Sequence, residues 1–200
     1  MVETTRRREI EDVASSLFRE HGYAGTSVRD IARALDIQGA SLYAHVASKQ
    51  DVLRTIVERM AGRFENAADD AIAALEGGSA ADPASRLGAL SRAHVHVVTD
   101  DIERASVFVH EWRSLDGDGR TRMAKRRDSY ERRFRTIVAD GMETGAFASS
   151  DPTATAAFIL TALNGLVTWY RPDGRLRPTE VADLYADLAV SAATGPELIR

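Results

Sequence analysis

The chain is predicted to be all-α, and three observations carry that expectation. Apolar residues recur at three- and four-residue spacing over most of its 200 positions, the period of a helix with one buried face. Capping and breaking residues interrupt the pattern at helix-length intervals, among them Gly22, Ser48, Asp82-Pro83, Asp116-Gly117 and Asp151-Pro152. No stretch shows the apolar–polar alternation of a half-buried strand. An apolar content of 44%, with abundant Ala, Leu and Arg, suits a soluble helical protein.

The first helix is expected from about Arg7 to His21, with Ile10, Val13, Ala14, Leu17 and Phe18 on one face and Gly22 as its stop. A short helix from Ser27 to Leu35 follows. Thr26 or Ser27 can cap it, and Asp30, three residues after Ser27, completes a capping box. A tight connection through Asp36, Ile37 and Gln38 leads to a second short helix, with Leu42 and Val46 inward and Ser41, Tyr43 and His45 on its polar side. Helices this short cannot stand alone; Leu17 and Phe18 are suited to support them. The unit reads as a three-helix helix-turn-helix, a motif whose last helix enters the DNA major groove.

Ser48, with Asp51 three residues on, caps a long helix striped by Leu53, Ile56, Val57, Met60, Phe64, Ala67, Ala71 and Leu75. Unbroken, it spans about 40 Å, with Gly62 as a soft spot. Residues 76–81 read as a loop. Asp82-Pro83 opens a helix with Leu87, Leu90, His94 and Val97 inward, and a shorter one covers about Ile102 to Ser114. The run Asp116-Gly117-Asp118-Gly119 is expected to break the chain before a long helix from about Arg120 to Thr144. The helix Thr153 to Tyr170 is apolar nearly all round and so must be covered on several sides. The last, from about Thr179 to Ala193, sets Val181, Leu184, Tyr185, Leu188 and Ala192 on one face. Together the final two helices present more apolar surface than one subunit can use, which points to a dimer.

Gly22-Tyr23, a threonine-bearing cap, Ile31-Ala32, Leu42-Tyr43 with His45, and Ser48-Lys49 follow one another in order. On these residues the segment Phe18 to Leu53 resembles the DNA-binding domain of the TetR family of bacterial transcriptional regulators. Asp36 stands where that family often has a turn glycine, Gln38 where serine is common, Ala40 where glycine is common and Val46 where phenylalanine is usual. Asp36 is therefore expected in the left-handed conformation, and Gln38 as a weaker cap. The resemblance implies a helix-turn-helix domain over residues 1–50, a linking helix over about 49–75, and a helical ligand-binding and dimerisation domain over 51–200. It also implies a homodimer joined through the last two helices, a double-stranded operator of near-palindromic sequence, and release by a small-molecule effector.

Net charge is −4, and residues 1–50 carry seven Lys/Arg against seven Asp/Glu, so bulk charge does not mark a nucleic-acid binder. Distribution does more: Arg6, Arg7 and Arg8 read as a basic arm, and Arg29 and Lys49 flank the second short helix. Cysteine is absent, which removes disulfides, thiolate chemistry and cysteine zinc sites. With no signal peptide and no membrane-length apolar run, the chain is expected in the cytoplasm, away from membranes.

The residues expected at DNA are Thr26, Arg29, Gly39, Ala40, Ser41, Tyr43, His45 and Lys49. Ser41 and His45 can meet phosphates or base edges, Gly39 and Ala40 permit close approach or contact with a thymine methyl, and Thr26 sits at a helix N-terminus. By the resemblance, Tyr43 and Lys49 clamp phosphates and Arg29 reaches a base. Effector candidates are His94, Phe108, Trp112, Met123, Tyr130, Phe134, Asn164 and Trp169; each has ordinary packing as its plain alternative. Arg126 joins them from the run Arg120 to Arg135, which holds eight basic residues against Asp128 and Glu131.

The run Trp169-Tyr170-Arg171-Pro172-Asp173-Gly174 resembles a turn in TetR-type repressors of fatty-acid, phenylacetate and steroid degradation, whose inducers are acyl-CoA thioesters. A row of arginines suits such an anion, although a solvated helix face reads the same way. A regulator of efflux answering a drug-like hydrophobic ligand is the alternative, and a helical interaction protein without DNA is the rival of another class. No metal, cofactor or catalytic set is expected. His94 and His96 point to different faces, and His110-Glu111 lacks a second histidine at Ser114.

Overall fold

The computed structural model describes residues 2–76, 81–148 and 151–195. The described residues form α1 (Val2–Gly25), α2 (Val28–Ala34), α3 (Gly39–Tyr43), α4 (Lys49–Glu76), α5 (Pro83–Asp100), α6 (Ile102–Glu111), α7 (Gly117–Glu143), α8 (Pro152–Trp169) and α9 (Pro178–Thr194), with a 3-10 turn at Trp112–Ser114 and no strand among them. The chain is all-α, as the helical period predicts. Most of the loop expected at 76–81 lies outside the described residues. No helix among the described residues is long and apolar enough to cross a membrane.

Two compact units form, each from separate stretches of chain: Met1–Gly62 with Ile102–Lys125, and Arg63–Asp101 with Arg126–Arg200. In the first, Ile10, Ala14 and Phe18 of α1 are buried with Ile31 and Ala32 of α2, Leu42 of α3 and Leu53 and Ile56 of α4. This shared core is what holds α2 and α3, which are too short for backbone hydrogen bonds alone to keep helical. Gly22 breaks α1 with φ 75, which a residue with a side chain adopts only under strain. Arg6 and Arg7 lie in α1 rather than on a free arm. Arg6 pairs with Glu9, and Arg7 donates to Asp51 and Thr55.

In the second unit the most extensive contact is between α5 and α9. The residues of α9 that are buried are Val181, Ala182, Ala186, Ala189 and Ala193. The single apolar face expected for α9 is split: Val181 is buried, while Leu184 and Leu188 face out, 46% and 54% exposed. The physical reason is approach distance: alanines let α9 lie close on α5, where a Cβ placed on Gly88 would stand 3.9 Å from Val190. Likewise α8 buries one face (Ala156, Ile159, Leu163, Leu166, Val167), while Phe158 on its other side is 65% exposed. The described residues of the subunit do not supply the all-round covering expected for that helix.

Helix ends follow cap chemistry. The glycines expected to break the chain at 116–119 open α7 instead, because Asp116 Oδ1 accepts the Gly119 N–H at 3.2 Å and the first-turn amides of a helix need no helical partner. α4 runs unbroken through Gly62.

Candidate nucleic-acid interface and buried polar cluster

The short helix pair is built by its caps. Ser27 Oγ accepts the Asp30 N–H at 3.2 Å, and Asp30 Oδ2 accepts the Ser27 N–H at 2.9 Å, a reciprocal capping box. The Ser27 hydroxyl, which also donates to Asp30 Oδ2, and after it the Ser27 N–H hold the Asp30 carboxyl below its usual range. Asp36 adopts φ 53, the left-handed geometry expected of a residue replacing a turn glycine. Gln38 makes no side-chain cap to α3. The chain turns between α2 and α3 beside a groove of about 420 Å³ lined by Arg29, Arg33, Asp36, Gln38 and Gly39.

From this frame Ala40, Ser41 and Tyr43 project into solvent, Tyr43 with 56% of its surface exposed, and Arg29 is exposed on α2. Gly39 and His45 are half-buried, and His45 Nδ1 has no hydrogen-bond partner. Thus Arg29, Gly39, Ala40, Ser41, Tyr43 and His45 are gathered at one turn-and-helix surface. Thr26 and Lys49 are not free to join them. The Thr26 side chain is buried, its hydroxyl donating to the carbonyls of Gly22 at 2.9 Å and Leu17 at 3.2 Å. Lys49 Nζ donates to the carbonyls of Thr26 at 2.6 Å and Tyr23 at 2.8 Å and lies 4.1 Å from the Tyr23 ring centroid. Both side chains satisfy carbonyls left open at the end of α1, so they set the position of α2 rather than reach outward.

Residues that the sequence did not single out complete the brace. Glu111 Oε1 accepts the Tyr23 N–H at 3.1 Å. Gln50 donates to the Ser114 carbonyl at 2.7 Å and accepts the Asp116 N–H at 3.3 Å. Glu11, almost wholly buried, is held by Arg59. These pairs are far apart in sequence, and no periodicity or short motif signals them.

The second unit holds a buried polar cluster. His94 of α5 is 2% exposed; its ring lies tilted against Phe64 of α4 at 4.6 Å and edges Phe134 of α7 at 6.5 Å. Its Nδ1 lies 3.1 Å from the Tyr130 hydroxyl. Burial, followed by the charge of Arg127, pushes the imidazole down to about 3, and burial raises the Tyr130 phenol, so both groups stay neutral at pH 7. Asn164 of α8 faces the imidazole with its buried Oδ1, and its hydrogen bond to the ring partly offsets that downward push. Four of the effector candidates, His94, Tyr130, Phe134 and Asn164, therefore meet in one place.

The others do not. Phe108, Trp112 and Met123 belong to the first compact unit. Arg126 is closed in a two-pronged bond to Glu65, at 2.8 and 2.6 Å. Trp169 is 44% exposed at the end of α8, stacked on Tyr185 and donating to its hydroxyl at 3.1 Å.

The neutral His94 links stability to acid. Between pH 6.5 and 3 the unfolded imidazole binds a proton that the folded one refuses, so its contribution is complete above 6.5 and falls as pH drops. By pH 5 the loss is about 2 kcal/mol. Urea unfolding at pH 7 and pH 5 is expected to show that loss in the parent chain and a shallower one in His94→Phe; equal losses would contradict the neutral assignment.

Family profiles account for both halves of the chain. One described as bacterial regulatory proteins, tetR family, matches residues 10–56, and one described as tetracyclin repressor-like, C-terminal domain, matches residues 80–193. The chain belongs to the TetR family. Its relatives include the HTH-type transcriptional repressor KstR2 of Mycobacterium tuberculosis, 28% identical over 196 residues and covering 95% of this chain and 94% of that protein. The structure of that ketosteroid transcriptional regulator superposes with a TM-score of 0.83 at 26% identity, over 92% of this chain and 93% of its own. The TetR-family regulator PfmR of Thermus thermophilus is 32% identical, with a TM-score of 0.77 over 90% of this chain and 96% of its own. AibR, solved with isovaleryl coenzyme A and operator DNA, matches at 28% identity and a TM-score of 0.77 over 92% of this chain and 97% of its own.

As a TetR protein this chain is a DNA-binding transcription regulator, and its relatives are regulators rather than enzymes.

Proposed function

We propose that this TetR protein is a homodimeric repressor that docks α3 in the major groove of a near-palindromic operator and is released by a small effector. The observation that carries the proposal is the solvent-facing surface of Arg29, Ala40, Ser41 and Tyr43 on a frame rigidly capped and braced from below. Ser41 and His45 serve base edges or phosphates, Tyr43 takes a phosphate, and Arg29 a base edge. Thr26 and Lys49 act as positioning residues for that surface.

An acyl-CoA thioester is the effector class we favour. The relative AibR was solved with isovaleryl coenzyme A, and α7 presents Arg132 and Arg133, with Arg86 of α5, along a groove of about 590 Å³ floored by Leu90 and Ile137. Arginine suits the phosphates of CoA, and the apolar floor suits an acyl chain. Arg133 is engaged with Asp69 and Arg86 with Asp140, which leaves Arg132 as the exposed cation among the described residues of the groove. The aromatic and neutral character of the cluster around His94 favours a second reading, an uncharged hydrophobic ligand. Coupling to the reading helix runs along α4, a single helix carrying both Met60 and Phe64, and commonly amounts to about 1–3 kcal/mol.

A mobility-shift assay on DNA flanking the protein's own gene tests the reading. Retardation at low protein concentration, reversed by acyl-CoAs of one chain-length range, is the expected result. No retardation refutes the docking; release by an uncharged drug with no response to any thioester refutes the effector class.

A further inference from the structure

We propose that Gln38 is a base-reading residue, whose carboxamide recognises the major-groove edge of one adenine in each operator half-site, beside the base met by Arg29. This rests on the docking of α3 proposed above, and adds to it a further residue and the base that residue selects.

Gln38 stands at the cap position of α3 and does not cap. Serine, threonine, aspartate and asparagine are favoured there, because a short side chain brings its oxygen to the first amides of the helix. The carboxamide of Gln38 makes no cap bond, has no other hydrogen-bond partner among the described residues, and is exposed. The fold draws nothing from it. Its place is nevertheless the one from which a recognition helix is read, since the residues at the N-terminal end of such a helix contact base edges.

Arg29 lines the same groove of about 420 Å³ and is likewise exposed and without a side-chain partner among the described residues. Arg33, also in that lining, is paired with Asp30 at 3.1 Å. The groove thus sets one free guanidinium against the carboxylate of Asp36, and offers no excess positive charge to a phosphate. A base edge, which carries donors and acceptors but no charge, suits this lining better.

The carboxamide also chooses the base. It donates through its nitrogen and accepts through its oxygen. Adenine presents an acceptor, N7, beside a donor, the N6 amino group. Guanine shows two acceptors, which would leave Gln38 Oε1 facing O6 unmet, and thymine and cytosine each offer a single polar group. Only adenine answers both halves of the amide. By the same reasoning Arg29, which only donates, is matched to guanine.

The test selects duplexes from a pool randomised over about two turns of DNA, once with the parent chain and once with Gln38→Ser. The parent is expected to enrich sites with one fixed A·T pair in each half-site. Gln38→Ser is expected to lose preference at that pair alone and to bind the parent's site at least about ten-fold more weakly. Its hydroxyl can cap α3, so its Tm should hold or rise. An unchanged preference, or equal weakening on every sequence, overturns the proposal. So does a lower Tm, which would place Gln38 in the fold. Replacing the selected adenine by 7-deazaadenine removes N7 and leaves the base pair intact. The parent should then bind about ten-fold more weakly and Gln38→Ser no differently; equal losses in both proteins overturn the assignment. A pool from which the parent enriches nothing refutes the docking of α3 itself, whereas enriched sites without the fixed A·T pair refute Gln38 alone.

Discussion

A Leu188→Glu protein is expected to sediment as a single subunit and to bind a two-half-site operator about 100-fold more weakly than the parent chain. Leu184 and Leu188 of α9 and Phe158 of α8 are 46%, 54% and 65% exposed, on elements whose other faces are packed within the subunit. Large apolar side chains left in water on two helices of one unit mark a surface meant to be covered, and a second copy of the chain is the cover we propose. A carboxylate placed there would have to be buried unpaired against its symmetry mate, which costs several kcal/mol, of the order that holds a dimer together. Each freed subunit then meets a single half-site, and the gain from binding two at once is lost. Because Leu188 is exposed, the separated subunit should stay folded, its Tm falling only by the stabilisation that association supplied. Sedimentation analysis decides the matter: a variant that stays dimeric removes α8 and α9 as the interface.

The second large effect is expected from Tyr43→Ala, which should weaken operator binding about 100-fold while leaving Tm and effector affinity unchanged. A phenol donating to a phosphate oxygen is a hydrogen bond to a charged group, worth about 1.5 kcal/mol at the lower end. Two-fold symmetry loses it twice, and about 3 kcal/mol is roughly two orders of magnitude. The side chain projects from α3, whose hold on the rest of the unit comes from buried Leu42, so the truncation leaves the fold alone. Mobility shift and thermal unfolding of the same preparations separate the outcomes. Undiminished affinity would show that the reading surface lies elsewhere.

Much of this protein was legible in its residues because much of it is local. The Ser27–Asp30 box, the left-handed Asp36, the missing cap at Gln38, the stop at Gly22 and the Pro-opened helices all depend on side chains reaching their own backbone within a few positions. For the same reason the run from Gly22 to Lys49 announces both its motif and its family. Sequence and structure part where local chemistry has two outlets. Thr26 and Lys49 carry groups able to reach a phosphate, yet each is closer to the open carbonyls at the end of α1, and the nearer partner takes them. The arginines of α7 look like one basic face, but Glu65 and Asp69 of α4 neutralise two of them from far along the chain.

By itself, then, the amino-acid order determined the helical class, the caps and turns, the helix-turn-helix and the family, since those rest on periodicity and on contacts within a turn or two. Only the tertiary structure decided which face of α9 turns inward, where close approach to α5 selects alanine over leucine. It alone showed that His94, Tyr130 and Asn164 meet in one buried cluster, and that Glu111 and Gln50 brace the reading unit. Each of these depends on residues tens of positions apart, whose meeting is set by packing and leaves no periodic trace along the chain.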